Sequence, residues 1–183
     1  ATQHTLKIGD ITVIGLSDGM MPCDQKALFP ETPLSLWAQY QHRFPDCFID
    51  DAGPDRDKTW FHTNIGVFLV RSGGKTVLCD TGLGPEAQMF GYPPKKELLD
   101  DMRAQGADPA EVDTVFLTHL HGDHVGWNLL RDGPGFKPTF PKAKYAFGKD
   151  DWDHFSKPDI LSGPRGVTMH RSVLPLSEMG RLD

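Results

Sequence analysis

Val112-Asp113-Thr114-Val115-Phe116-Leu117-Thr118-His119-Leu120-His121-Gly122-Asp123-His124 joins an apolar run to four side chains able to bind a metal. The run reads as a buried strand, and the ligand-rich segment begins where it ends. In extended backbone successive side chains alternate, so His119 and His121 point one way while Leu120 points back toward the interior. Gly122 permits a sharp change of direction. Asp123 and His124 then open an expected short helix through Val125, Trp127 and Leu130. Three of the chain's eight histidines fall within these six positions, a density that a hydrogen-bonded polar turn does not call for. Imidazole with carboxylate is the ligand set preferred by zinc and its neighbours, and two metals are a natural reading of the two halves.

Working outward, residues 76–82 read Thr-Val-Leu-Cys-Asp-Thr-Gly, and residues 97–106 place Leu98, Leu99 and Met102 at helical spacing before Gly106 as a stop. Asp108-Pro109 leads into the strand before the motif. The HxHxDH spacing, the upstream Asp-Thr-Gly and this order resemble the metallo-β-lactamase-fold hydrolases. The resemblance implies that His119 and His121 serve one metal and Asp123 and His124 the other, with Asp80 supporting the metal loop. It implies two divalent metal ions, zinc being the expected metal. The chemistry it implies is hydrolysis of a lactone, ester or phosphotriester by a metal-bridging hydroxide, with Asp123 passing a proton to the leaving group. Gly126-Trp127, Pro138-Thr139-Phe140-Pro141 and Asp151-Trp152-Asp153-His154-Phe155 are similar to the branch that includes lactonases and organophosphate hydrolases. Trp127 taken alone reads as a packing residue.

A catalytic zinc usually keeps three protein ligands and one open position, and neither half of the motif supplies three. The family takes its remaining ligands, a His, a bridging Asp and a last His, from well downstream. The later histidines here, His154 and His170, stand in contexts that do not match. The resemblance implies an α/β fold class, the N-terminal part of a four-layer αββα sandwich, and the missing ligands make residues 1–183 a single, incomplete domain. Half of such a sandwich is expected to expose a large apolar sheet face unless another segment packs there.

Hairpins are expected at residues 6–15, turning at Gly9-Asp10, and at 65–79, turning through Ser72-Gly73-Gly74. A helix over 95–106, the strand at 112–118, a strand at 144–147 and a helix at 149–155 follow. Residues 20–62 differ in character, with many prolines and with Phe29, Trp37, Tyr40, Phe44, Phe48, Trp60 and Phe61 close together. This stretch either roofs the site as an apolar wall for substrate, packs against a second subunit in a homodimer, or anchors itself in a small core of its own. His62 and Asn64 at its end either face the site or satisfy backbone groups.

The formal charge of -6 and the pI near 5.7 argue against a nucleic-acid or anionic-membrane surface, and no cationic stripe appears. No apolar run approaches the 18 or so residues of a membrane span. The expected partner is a small-molecule substrate. Cys23, Cys47 and Cys79 are odd in number and lack CxxC spacing, which argues against a disulfide framework and leans toward a reducing, cytoplasmic setting. A start at Ala1 leaves a processed, periplasmic or secreted form open. Two other functions compete with hydrolysis. A diiron redox protein on the same fold is one, but that branch carries a Glu where His121 stands. A non-catalytic binding module is the other, and it gains ground if the gene stops at Asp183.

Overall fold

Along Trp60–Ser72 (β3) Ile65, Val67 and Leu69 are buried while Gly66 and Phe68 are exposed, the period-two signature of a strand with one covered face. The computed structural model describes residues 4–48, 60–86 and 97–183, in two compact units: Ala1–Gly19 with Ile65–Asp183, and Met20–Asn64. Ahead of β3 run Thr5–Ile8 (β1), Ile11–Asp24 (β2), Gln25–Leu28 (α1) and Ala38–Arg43 (α2). After it come Lys75–Cys79 (β4), Leu98–Ala104 (α3), Thr114–Phe116 (β5), Leu129–Asp132 (β6), Gly135–Pro138 (β7) and Lys144–Ala146 (β8). Four short helices close the described chain: Lys149–Phe155 (α4), Pro158–Leu161 (α5), Gly166–Ser172 (α6) and Leu174–Glu178 (α7). No helix among the described residues is long and apolar enough to cross a membrane.

Six strands form one sheet in the order β1-β2-β3-β4-β5-β8, and β6 pairs with β7 alone. Both expected hairpins form, β1 with β2 and β3 with β4. The second turns through Gly73 and Gly74 at φ 55° and 73°, the left-handed pair that a two-residue turn needs and that glycine supplies without Cβ strain. From β4 onward the pairing with β5 and then β8 is parallel, and α3 lies in the β4 to β5 crossover. Residues 95 and 96 of the helix expected there lie outside the described residues, as do 49–59 of the aromatic stretch. The strand expected over 112–118 is regular only at 114–116.

One face of the sheet carries the core. Ile14, Leu16, Val67, Leu69, Leu78, Val115 and Tyr145 pack with Leu98 and Met102 of α3 and with Met169, Val173 and Leu176 from the C-terminal helices. On the other face Phe68 stands beside Cys79, and Cys79 beside Phe116. Phe68 is 55% and Phe116 45% exposed, and Leu6, Ile8 and Ile11 at the β1-β2 edge are exposed as well. Among the described residues an apolar sheet face thus stands open, as expected. Within the 20–64 unit the aromatics pack on one another: Trp37 lies 5.3 Å from Phe29 and 5.9 Å from Phe61, and Phe48 lies 6.5 Å from Phe61. All three cysteines are free. Cys79 is half-buried on the open face.

The helix expected after the motif does not form; residues 122–128 make turns that run into β6. Backbone groups that would have closed helical bonds are drawn instead to the loop after β4. Thr81 N–H donates to His124 O at 2.8 Å, Gly126 N–H to Gly82 O at 2.8 Å, and Trp127 N–H to Thr81 O at 3.1 Å. The two loops touch at Gly84 and Gly126. A Cβ on Gly126 would lie 2.0 Å from the Leu83 carbonyl, and one on Gly84 2.2 Å from the Gly126 oxygen. Only glycine at both positions permits that approach.

Asp18, on the covered face of β2 and fully buried, fastens the same region. Its carboxylate accepts from Leu83 and Gly84 N–H at 2.9 Å, from Glu97 N–H at 3.1 Å, from Leu98 N–H at 2.9 Å, and from the Trp127 indole N–H at 2.9 Å. Trp127 is therefore a packing residue with its polar edge satisfied, as its sequence context suggests. Gly126→Ala is expected to lower unfolding free energy by about 3 kcal/mol or more, since backbone must move to admit the methyl group. Gly135→Ala, whose Cβ meets nothing nearer than 3.8 Å, should stay within about 0.5 kcal/mol of the parent. Urea denaturation of the two variants checks this, and equal effects would contradict the packing described.

Candidate metal centre

β4 ends at Cys79, and Asp80 takes φ 65°, the only positive φ outside glycine among the described residues. That left-handed turn is uncommon for a residue with a Cβ and persists only where surrounding bonds hold it. Its N–H donates to Phe116 O at 2.9 Å, which carries the β4-β5 pairing one residue further. Its carboxylate accepts from Thr118 N–H at 2.8 Å and from the Thr118 hydroxyl at 2.8 Å, and meets His124 Nδ1 at 2.9 Å. Asp80 thereby pins both ends of the ligand-rich segment.

The four ligand candidates come together just past β5. The His119 and His121 rings lie 4.6 Å apart between centroids, with Leu120 buried behind them, as alternation along an extended segment predicts. The His119 ring is 3.9 Å from that of His124. Asp123 Oδ2 lies 3.5 Å from His124 Nε2. Phe155 of α4 meets the His121 ring edge-on at 5.9 Å and the neighbouring His154 ring at 5.0 Å. Among the described residues no three His, Cys, Asp or Glu side chains are grouped so as to hold one ion. His62 and Asn64 belong to β3 within the 20–64 unit. His170 lies exposed on α6.

The electrostatics separate the imidazoles. Hydrogen bonding to Asp123 and then to Asp80 raises the His124 pKa to about 9, against the cost of burial, so this ring is an imidazolium at neutral pH. Burial, followed by the nearby charges of His124 and His121, lowers the His119 pKa, and this ring is neutral. Burial pushes the Asp80 carboxyl up, but hydrogen bonds from His124 and Thr118 outweigh it and hold the group below its ordinary value. Asp123 follows the same pattern, burial opposing and the His124 hydrogen bond prevailing. Burial, with the Asp80 charge, raises the Cys79 thiol and keeps it protonated and unreactive.

The motif made the four candidate ligands legible; Thr118 and Asp18 were not. Thr118 had no signal beyond its place before His119. Asp18-Gly19 did carry one, as an acidic residue inside an otherwise apolar strand pattern.

Because the folded His124 pKa lies above the ordinary value near 6.5, its contribution to stability is complete below about pH 6.5 and is lost as pH rises through about 9. In metal-free protein the urea midpoint should fall between pH 6.5 and pH 9.5, and His124→Gln should remove most of that fall. Parallel pH curves for the two proteins would contradict the charged bridge.

A cleft of about 520 Å³ opens beside these groups, with His121 and Asp123 in its wall. The family model for the metallo-beta-lactamase superfamily matches residues 62–169, more than half of the chain and all of the motif. A solved hydrolase of the beta-lactamase superfamily, AbOPH, superposes on 100% of this chain with a TM-score of 0.75 and 25% identity. The dizinc quorum-quenching lactonase AidC covers 99% of it with a TM-score of 0.68 and 19% identity, a likeness of fold. This chain spans 60% of the length of each of those two. A curated relative, Ribonuclease TTHA0252 of Thermus thermophilus, is 43% identical over 67 residues, which are 36% of this chain and 14% of the relative. The αββα fold class expected from the motif agrees with these matches, and the chain belongs to the metallo-beta-lactamase superfamily.

Proposed function

We propose that this chain contributes half of a binuclear metal centre to a hydrolase of lactones, esters or phosphotriesters. One observation carries the reading: three imidazoles and the Asp123 carboxylate gather at the end of β5, backed by a carboxylate that orients one of the rings. The donor set fits zinc, which favours imidazole nitrogen and carboxylate oxygen. His119 and His121 would hold one ion, and Asp123 and His124 the other. Each pair falls one short of the three protein ligands usual at a catalytic zinc, so a complete centre takes further ligands from outside the described residues. The similarity to the hydrolase AbOPH supports the hydrolase reading. The likeness to AidC, described as a dizinc lactonase, agrees with it in fold.

The residues divide the work by their protonation. Neutral His119 offers a lone pair without first losing a proton. Asp80 receives Nδ1–H of His124, which fixes the ring and leaves Nε2 as the atom that faces the site. His124 would hold a metal through Nε2 only on giving up the proton it carries there at neutral pH. Two bound divalent ions supply Lewis-acid polarisation and an acidified water near neutral pH. Asp123, ionised and beside the cleft, would accept a proton at its Oδ atoms and return it to the leaving oxygen. Leu83, Leu120, Leu129 and Phe155 give the cleft an apolar part of its lining.

Metal analysis of the full-length protein should find about two zinc ions per chain, and His121→Ala should lose at least one of them together with hydrolytic activity on a lactone, aryl ester and phosphotriester panel. A protein active without metal, or a His121→Ala variant with full activity, would sink the proposal. Asp80→Asn keeps the shape but weakens the hold on His124; it is expected to reduce zinc affinity about 10- to 100-fold in a competition assay with a chelating dye. Unchanged affinity would remove Asp80 from the centre.

A further inference from the structure

We infer that the cleft beside His121 and Asp123 selects substrates carrying a second, acidic group on an apolar body, with Arg165 and Arg171 as the receptors for that acid. The inference rests on the hydrolase reading and names the substrate class of the same site. At about 520 Å³ the cleft suits a small molecule, and its apolar lining continues directly from the ligand-bearing loop. Both arginines line it, Arg165 at the start of α6 and Arg171 in its last turn. Six residues of helix separate them by roughly 9 Å along the axis. The helix sits against the motif: a Cβ on Gly122 would meet the Thr168 hydroxyl at 3.4 Å.

These two arginines bring charge without a counterpart into the cleft wall. Both are exposed, and among the described residues neither guanidinium has a hydrogen-bond or ion-pair partner. Glu86, the other acid in the cleft wall besides Asp123, is already paired to Arg131 at 2.8 Å. In a chain of net charge -6, two unpaired cations in one cleft run against the overall balance. Guanidinium presents a planar fork of donors matched to carboxylate and phosphate oxygens, and such a contact strengthens where apolar walls displace water. The substrate that uses all of this has its scissile bond at the histidines, an apolar body over Leu129 and Phe155, and an acid at α6.

Titration calorimetry of the metal-loaded, full-length protein with 4-phenylbutyrate, 4-phenylbutyl phosphate and neutral 4-phenylbutan-1-ol tests this. At least one anion should bind about tenfold or more tightly than the alcohol, and the stronger of the two identifies the acid class. Arg165→Gln and Arg171→Gln should each reduce that preference, and the double variant should abolish it. Equal binding of anions and alcohol would overturn the inference, as would an anion preference that survives the double variant, since the metals would then be the receptor. Hydrolysis of monophenyl succinate and phenyl acetate separates this from the parent reading. Cleavage of both at equal kcat/KM, with no arginine-dependent binding, overturns the inference alone. Arginine-dependent binding without cleavage of either supports it and counts against the hydrolase.

Discussion

The buried carboxylate of Asp18 is the junction on which the rest of the site depends. Among the described residues no cation opposes it; five N–H groups from three segments satisfy it instead. An ionised carboxylate removed from water is costly unless its lone pairs are filled, and charge-assisted hydrogen bonds from backbone amides are among the stronger ones available. The arrangement therefore works in both directions. The amides stabilise the buried charge, and the charge holds the 83–84 loop, the start of α3 and Trp127 in fixed relation. Between those anchors Gly84 and Gly126 are pressed into backbone contact, and His124 is two residues from that contact.

Asp80 completes the support from the other side. Where Asp18 gathers backbone, Asp80 gathers one backbone amide, one hydroxyl and one imidazole, and it adopts a left-handed turn to do so. The consequence is electrostatic as well as geometric. His124 sits between two carboxylates that favour positive charge there, so it carries a proton at neutral pH. A divalent cation brings charge of the same sign to the same place. The field that holds the proton also favours the ion that would displace it. His119, more strongly influenced by burial and by its cationic neighbour, is left neutral and ready to donate its lone pair.

Much of this was legible in the amino-acid sequence, and the limits follow a physical line. Features set by local rules could be read directly: the Gly73-Gly74 turn, the alternation that turns His119 and His121 to one side, the strand ending before the motif, the α4 helix. Features set by distant partners could not. The helix expected from Asp123 to Leu130 gives way because Thr81, Gly82 and Leu83 compete for its backbone, a tertiary interaction that no window of neighbouring residues contains. Asp18 reads locally as an acid interrupting a strand, and its five donors lie 65 to 109 residues away. The expected open sheet face needed only the family resemblance and the period-two pattern, and Phe68 and Phe116 stand there.

We propose that His119, His121, Asp123 and His124 ligate metal in two pairs. X-ray absorption at the zinc edge of the zinc-loaded protein tests it most directly, because it reads the atoms touching the metal. The account predicts nitrogen and oxygen neighbours at about 2.0 to 2.2 Å, outer-shell scattering from between one and two of these imidazoles per zinc, and no sulfur. Substituting His119 should diminish the imidazole signal. A zinc spectrum dominated by sulfur near 2.3 Å, or one unchanged when His119 is replaced, would contradict it.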